Sequence, residues 1–235
     1  MLVALWSTKG GAGVTTVAAG LAGVLAGVDQ RRPGSSSRSG EVVLVDLTGD
    51  AMAACGAPEP DIGVTDWLAA EHPDQAALGR LEVEVAPGLT VIPFGSGGGF
   101  EPDRATLLGE ILAVDDRDVV IDLGRLAQDR GGGSDSSARS ALEDDLLARV
   151  DHSLLVTRLC YLALRRAVRV EHSATGVILV REVGRALDAS DVDGLLGVPI
   201  VAEIDADPGV ARLVDAGLLL RSPNRQFCRA LRRAA

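Results

Sequence analysis

Near its start the chain runs from an apolar stretch, Leu2-Val3-Ala4-Leu5-Trp6, straight into Ser7-Thr8-Lys9-Gly10-Gly11-Ala12-Gly13-Val14-Thr15-Thr16, and then into a small-residue segment containing Gly20, Gly23 and Gly27. A short apolar run reads as a buried strand, and the segment after the glycines reads as a helix. Three glycines in four residues let backbone N–H groups turn inward on a single anion. The following helix aims its positive end at the same point. A hydroxyl just inside that helix, Thr15, stands where it can ligate Mg²⁺. The segment therefore reads as a phosphate-binding loop. A glycine-rich strand-to-helix turn that holds no ligand is the alternative.

The remainder alternates β-branched runs with helical patterns. Strands are expected at residues 2–6, 42–46, 89–93, 119–122, 153–157, 176–180 and 199–203, with 81–85 as an edge strand paired to 89–93 across Pro87-Gly88. Helices are expected at 13–28, 65–70, 103–112, 141–148, 161–171, 189–196, 209–216 and 224–233. Such alternation predicts an α/β fold, a mostly parallel sheet of seven or eight strands with helices on both faces. Hydrophobic residues make up 47% of the chain and aromatics only 3%, so the core must be built from Val, Leu, Ile and Ala. The length of 235 residues fits a single domain over 1–235. Residues 33–40 and 129–140 are rich in Gly and Ser and read as flexible loops, with a shorter one at 95–99.

The net charge of -10 argues against nucleic acid held by the bulk surface. Of 23 basic residues, only Lys9 is lysine. Lysine is a compact point charge on a flexible stem, whereas Arg is a planar fork, and the loop requires the former. Cys55, Cys160 and Cys228 are far apart and read as three reduced thiols. His72, His152 and His172 are scattered and none reads as a ligand. No leader and no membrane-length apolar run is visible, so the expected location is cytoplasmic.

The loop departs from the standard G-x-x-x-x-G-K-[ST] pattern. Thr8 stands at the first glycine and Val14 at the lysine. What remains, K-G-G-x-G-x-T-T, resembles the deviant phosphate loop of the MinD/ParA family of positioning and partitioning ATPases. The order of later segments is similar too: Val42-Val43-Leu44-Val45-Asp46-Leu47-Thr48 resembles the family's D-x-D strand, and Asp118-Val119-Val120-Ile121-Asp122 its Walker B strand. A non-lysine at position 14 resembles the TadZ/CpaE branch, and short septum-site homologues are also similar.

The resemblance implies a P-loop NTPase-like fold and ATP or ADP with Mg²⁺ held by Lys9, Gly10, Gly11, Ala12, Gly13, Val14, Thr15 and Thr16. It implies that Thr15 and Asp46 meet the metal, with Asp122 close by and partly acting through water. It also implies a homodimer in which Lys9 reaches the partner's phosphates, and a protein partner in a pilus, division or positioning system. Lys9 and Asp46 are the catalytic candidates. Val14 and Thr48, the latter in place of the second aspartate, imply weak or absent hydrolysis, because phosphoryl transfer depends on positioned charge. Asp50 is a possible substitute carboxylate, though it reads first as an exposed loop residue. A scaffold that binds no nucleotide and a DNA-partitioning ATPase are the alternatives.

At the C-terminus Arg221, Arg225, Arg229 and Arg233 recur every fourth residue and form one stripe on a helix, with Phe227 and Leu231 on a neighbouring face. The segment reads as a last helix docked by its apolar residues. Weak contact with an anionic membrane or with DNA is the functional option, and would recruit the protein to a membrane or pole.

Overall fold

Leu2, Ala4 and Trp6 point to one side of the first strand and Val3 and Leu5 to the other, and all five side chains are buried. Alternate residues of a strand face opposite sides. A strand that is apolar on both must therefore lie inside a sheet covered on both faces. The computed structural model describes residues 1–30, 41–126, 134–170 and 174–235, with the side chains of 134–136 outside that description.

In chain order the elements are β1 (Leu2–Ser7), α1 (Val14–Leu25), a 3-10 turn (Val28–Gln30), β2 (Val42–Asp46), α2 (Ala51–Ala54), α3 (Val64–Ala69) and α4 (Gln75–Gly79). They continue with β3 (Val83–Ala86), β4 (Leu89–Ile92), α5 (Pro102–Ala113), β5 (Asp118–Arg125), α6 (Ser134–Arg149), β6 (His152–Arg158) and α7 (Tyr161–Ala167). Last come β7 (Gly176–Arg181), α8 (Ala189–Leu196), β8 (Ile200–Asp205), α9 (Pro208–Asp215) and α10 (Arg225–Leu231).

The strands form one eight-stranded sheet in the order β3-β4-β2-β5-β1-β6-β7-β8. Among the described residues only the β3–β4 pair is antiparallel, the edge hairpin expected across Pro87-Gly88. β1 lies at the centre, and the chain builds outward from it first on one side and then on the other. That reversal places a crevice at the carboxyl ends of the central strands, where α/β sheets bind ligands. One face carries α1, α2, α9 and α10 over Val3, Leu5, Leu44 and Val120. The other carries α3 to α8 over Trp6, Val45, Ile121 and Leu155.

The expected elements are present with shifted ends. The largest shift is at α6, which begins at Ser134 rather than at residue 141. The second half of the stretch read as a flexible loop, 129–140, is therefore helix, because Ala138, Leu142 and Leu146 recur at helical spacing and turn one buried face into the core. The 33–40 loop, residues 129–133 and His172 lie outside the described residues. α2 and α4, each of a turn or so, were not expected. Among the described residues, no helix is long and apolar enough to cross a membrane. The three cysteines are free, and burial pushes the Cys55 thiol up to about 12.

The C-terminal stripe is shorter than expected. Arg221 precedes Pro223 and lies outside α10, Arg225 and Arg229 are exposed on it, and Arg233 falls in the turn after it. Phe227, Cys228 and Leu231 are buried against α1. A Cβ at Gly20 would lie 2.4 Å from Cε1 of Phe227 and 2.8 Å from Cδ1 of Leu231, so α10 is seated on the bare backbone of that glycine. Arg232 pairs with the carboxylate of Asp29 beyond the end of α1.

Candidate functional site

β1 ends in Ser7, whose hydroxyl donates to the carbonyl of Lys9 at 3.1 Å and so folds the chain back on itself. Thr8 is fully buried and donates to the carbonyl of Ala163 on α7 at 3.0 Å. The residue that stands where the standard pattern has glycine thus ties the loop to the neighbouring helix. Gly11 (φ 76°) and Gly13 (φ 95°) adopt the left-handed conformation that side chains disfavour. A Cβ placed at Gly10, Gly11 or Gly13 would meet nothing within 4 Å, so this turn borders open space. Gly13 also caps α1 without a side-chain bond, and no acidic residue occupies the first turn. The helix end is left able to receive an external anion.

Lys9 is half-buried, and at the start of α7 the backbone N–H groups of Ala163 and Leu162 hold the Cys160 thiol below its ordinary range, with a smaller contribution from the charge of Lys9. Ala12 is buried, while Thr15 and Thr16 are half-buried in the first turn of α1. Val14 is 6% exposed and belongs to the apolar cluster under α1. The position that carries a lysine in the standard pattern is here a core residue.

β2 and β5 run in register with Asp46 opposite Asp122, so the two expected carboxylates meet at the carboxyl end of the sheet. Both are buried. From described residues Asp46 accepts four hydrogen bonds: from Thr48 N–H at 2.8 Å, the Thr48 hydroxyl at 2.9 Å and Gly49 N–H at 2.9 Å on one oxygen, and from Ala51 N–H at 2.9 Å on the other. It therefore builds the turn into α2. Asp122 is bonded by the hydroxyl of Thr15 and by the N–H of Gly124 at 3.0 Å. Thr48 Oγ1 is also 3.2 Å from Asp122, so this hydroxyl bridges the two carboxylates. Asp50 is exposed, and its carboxylate makes no capping bond.

Burial drives the Asp122 carboxyl up from 3.8 to about 6; the Thr15 hydroxyl opposes this, and the charge of Asp46 adds to it. The folded chain keeps the Asp122 proton through the range in which the unfolded chain loses it, so this group lowers stability as pH rises from about 4 to about 6 and no further above that. In EDTA, the thermal midpoint of Asp122→Asn, measured across this range, should fall less steeply with pH than that of the parent. Parallel curves would show that Asp122 titrates normally.

The oxygen donors of Thr15, Asp46 and Asp122 suit a hard divalent cation. Among the described residues no three His, Cys, Asp or Glu side chains converge, so a metal here would need the threonine. Sequence reasoning missed Arg139 on α6, which donates to the carbonyls of Leu47 at 2.7 Å and Leu123 at 3.0 Å and pairs with buried Glu143 at 2.8 Å. The Arg139/Glu143 spacing of four was a visible helix signal, but Arg139 fell in the stretch read as loop.

The eight-stranded, mostly parallel sheet with helices on both faces is the fold of solved MinD and ParA structures. Among solved structures, the chain is similar to the septum site-determining protein MinD of Pyrococcus horikoshii complexed with Mg-ADP, at TM-score 0.71 and 19% identity over 98% of this chain and 92% of that one. It is similar to the MinD cell division protein of Aquifex aeolicus, at TM-score 0.74 and 18% identity over 99% and 94%. A ParA family ATPase of Chlorobium tepidum matches at TM-score 0.71 and 20% identity over 98% and 95%. At these identities the likeness is one of fold. No protein-family model and no curated protein matches the sequence.

Proposed function

We propose that this chain is a nucleotide-binding protein of the MinD/ParA kind, working as a dimeric positioning or assembly switch with weak or absent hydrolysis. The observation that carries the reading is the loop itself: Gly11 and Gly13 hold left-handed conformations beside open space, and the helix that follows brings Thr15 to Asp122. Backbone amides of Gly10, Gly11, Ala12 and Gly13 cradle the phosphates, with Thr16 beside them, and Lys9 supplies the cation. Thr15 and Asp46 hold Mg²⁺, with Asp122 behind. When bound, the metal neutralises charge on the phosphate oxygens.

Two features support slow turnover. Val14 is packed in the core and gives the phosphates no second cation. Thr48 offers a hydroxyl committed to Asp46 and Asp122 where a water-orienting carboxylate is absent. The exposed Tyr161 and Leu162 open α7, the helix to which Thr8 ties the loop, and form a suitable surface for a second copy of the chain. TadZ/CpaE-like pilus assembly, septum placement and polar localisation are the processes that such a cytoplasmic switch would serve.

Calorimetric titration with ATP and Mg²⁺, followed by measurement of oligomeric state, tests this reading. Saturable heat and a shift towards dimer are expected. No heat and no shift would favour the second reading, a scaffold that keeps the fold without ligand. That reading draws on Asp46, which already accepts four protein donors.

A further inference from the structure

β2 and β5 pair in parallel as far as Asp46 and Asp122, and the N–H of Leu47 donates to the carbonyl of Asp122 at 3.1 Å as the last rung. Beyond that rung the two chains part, turning at Gly49 (φ 90°) and Gly124 (φ 64°). Leu47 and Leu123, the residues immediately after the two aspartates, are buried. A single guanidinium spans the gap. Arg139 Nη1 meets the carbonyl of Leu47, Nη2 meets that of Leu123, and Nε is fixed by Glu143, which is 2% exposed. The planar fork continues the β2–β5 ladder where backbone pairing stops. A lysine in its place would bring a single ammonium to two diverging carbonyls.

We infer that Arg139 is a positioning residue for the metal: by bridging Leu47 and Leu123 it sets the spacing of Asp46 and Asp122, and with it the coupling between Mg²⁺ and nucleotide. This rests on the nucleotide-binding reading proposed above. Among the described residues the hydrogen bonds of Arg139 run to Leu47, Leu123 and Glu143 and none to the loop, so its loss leaves the loop that would hold the phosphates intact. A residue that only braced the fold would lower stability and leave the metal's contribution alone.

The test uses the full chain and a fluorescent ADP analogue, with affinity measured in EDTA and again in excess MgCl2. The ratio of the two affinities is the Mg²⁺ enhancement. In Arg139→Gln and Arg139→Lys the enhancement should fall by roughly tenfold or more, as for other residues that orient metal ligands, while affinity in EDTA stays within about twofold of the parent. A drop in Arg139→Lys, which retains the charge, assigns the effect to the fork. A folded variant with unchanged enhancement, or one that loses affinity equally with and without Mg²⁺, overturns the inference. If neither variant folds, Glu143→Gln, which only loosens the fork, decides on the same terms. No binding by the unaltered protein under either condition would instead refute the nucleotide reading and remove this inference with it.

Discussion

Lys9→Ala should weaken ATP binding by roughly 10- to 100-fold, the range expected for losing one hydrogen bond to a charged group of about 1.5–3 kcal/mol. Lys9 is the chain's only lysine, and the loop has no other. Val14 lies in the core, so no cation from the standard position can compensate. The backbone cradle is untouched by the substitution, so some affinity should survive, and the thermal midpoint of the ligand-free chain should hardly move because Lys9 is only half-buried. Lys9→Arg should restore affinity in part at most, since a rigid planar fork is a poor replacement for an ammonium that must settle among phosphate oxygens. Calorimetric titration of the three proteins would decide the matter. Equal affinities for Lys9→Ala and the parent would mean that the amides of the loop do all the holding.

Gly63→Ala should cost about 3 kcal/mol or more and lower the thermal midpoint by roughly 6–12 °C. The backbone at Gly63 is extended, so conformation is not the obstacle; space is. A Cβ there would lie 2.3 Å from the carbonyl oxygen of Pro93, 2.4 Å from the nitrogen of Gly95 and 2.5 Å from the carbonyl carbon of Phe94. All three are backbone atoms and cannot rotate away. The same contact carries the hydrogen bonds that start α3, from Val64 N–H to Pro93 at 2.8 Å and from Thr65 N–H to Phe94 at 3.0 Å. Making room for a methyl group would break them. Gly79→Ala is the companion measurement: a Cβ there meets nothing within 4 Å, and alanine in a helix gains up to about 1 kcal/mol over glycine. A loss at residue 63 no larger than the change at residue 79 would contradict the packing described.

The sheet was legible because both of its faces are covered. Runs such as 42–45, Val-Val-Leu-Val, are apolar throughout, as a strand buried on both faces of a parallel sheet is. The carboxylates at the ends of such runs could be placed at the crevice by the same logic, and Asp46 and Asp122 do stand opposite each other. The role of Thr48 was not legible. Its identity suggested a lost carboxylate, whereas its hydroxyl bridges the two that remain, and only the turn at Gly49 brings it there. Arg139 was hidden by composition: Gly and Ser before it lowered the apparent helical propensity, and the carbonyls it binds lie 92 and 16 residues away in sequence. The arginine periodicity at the C-terminus suggested one long stripe. Pro223 starts the helix later, and burial of Phe227 and Leu231 decides which side faces water.

The seat that Gly20 provides for Phe227 and Leu231 binds the first and last helices of the chain into one exchange unit. Where Gly20 meets Phe227 and Leu231, the middle of α1 is covered by α10. Deuterium exchange there is expected to quicken when α10 lifts away, before the turns packed on the sheet open. The loop at the N-terminal end of α1 stands outside that protected block. Ligand at the loop and detachment of the C-terminus would leave separate marks, in different peptides, on the same helix.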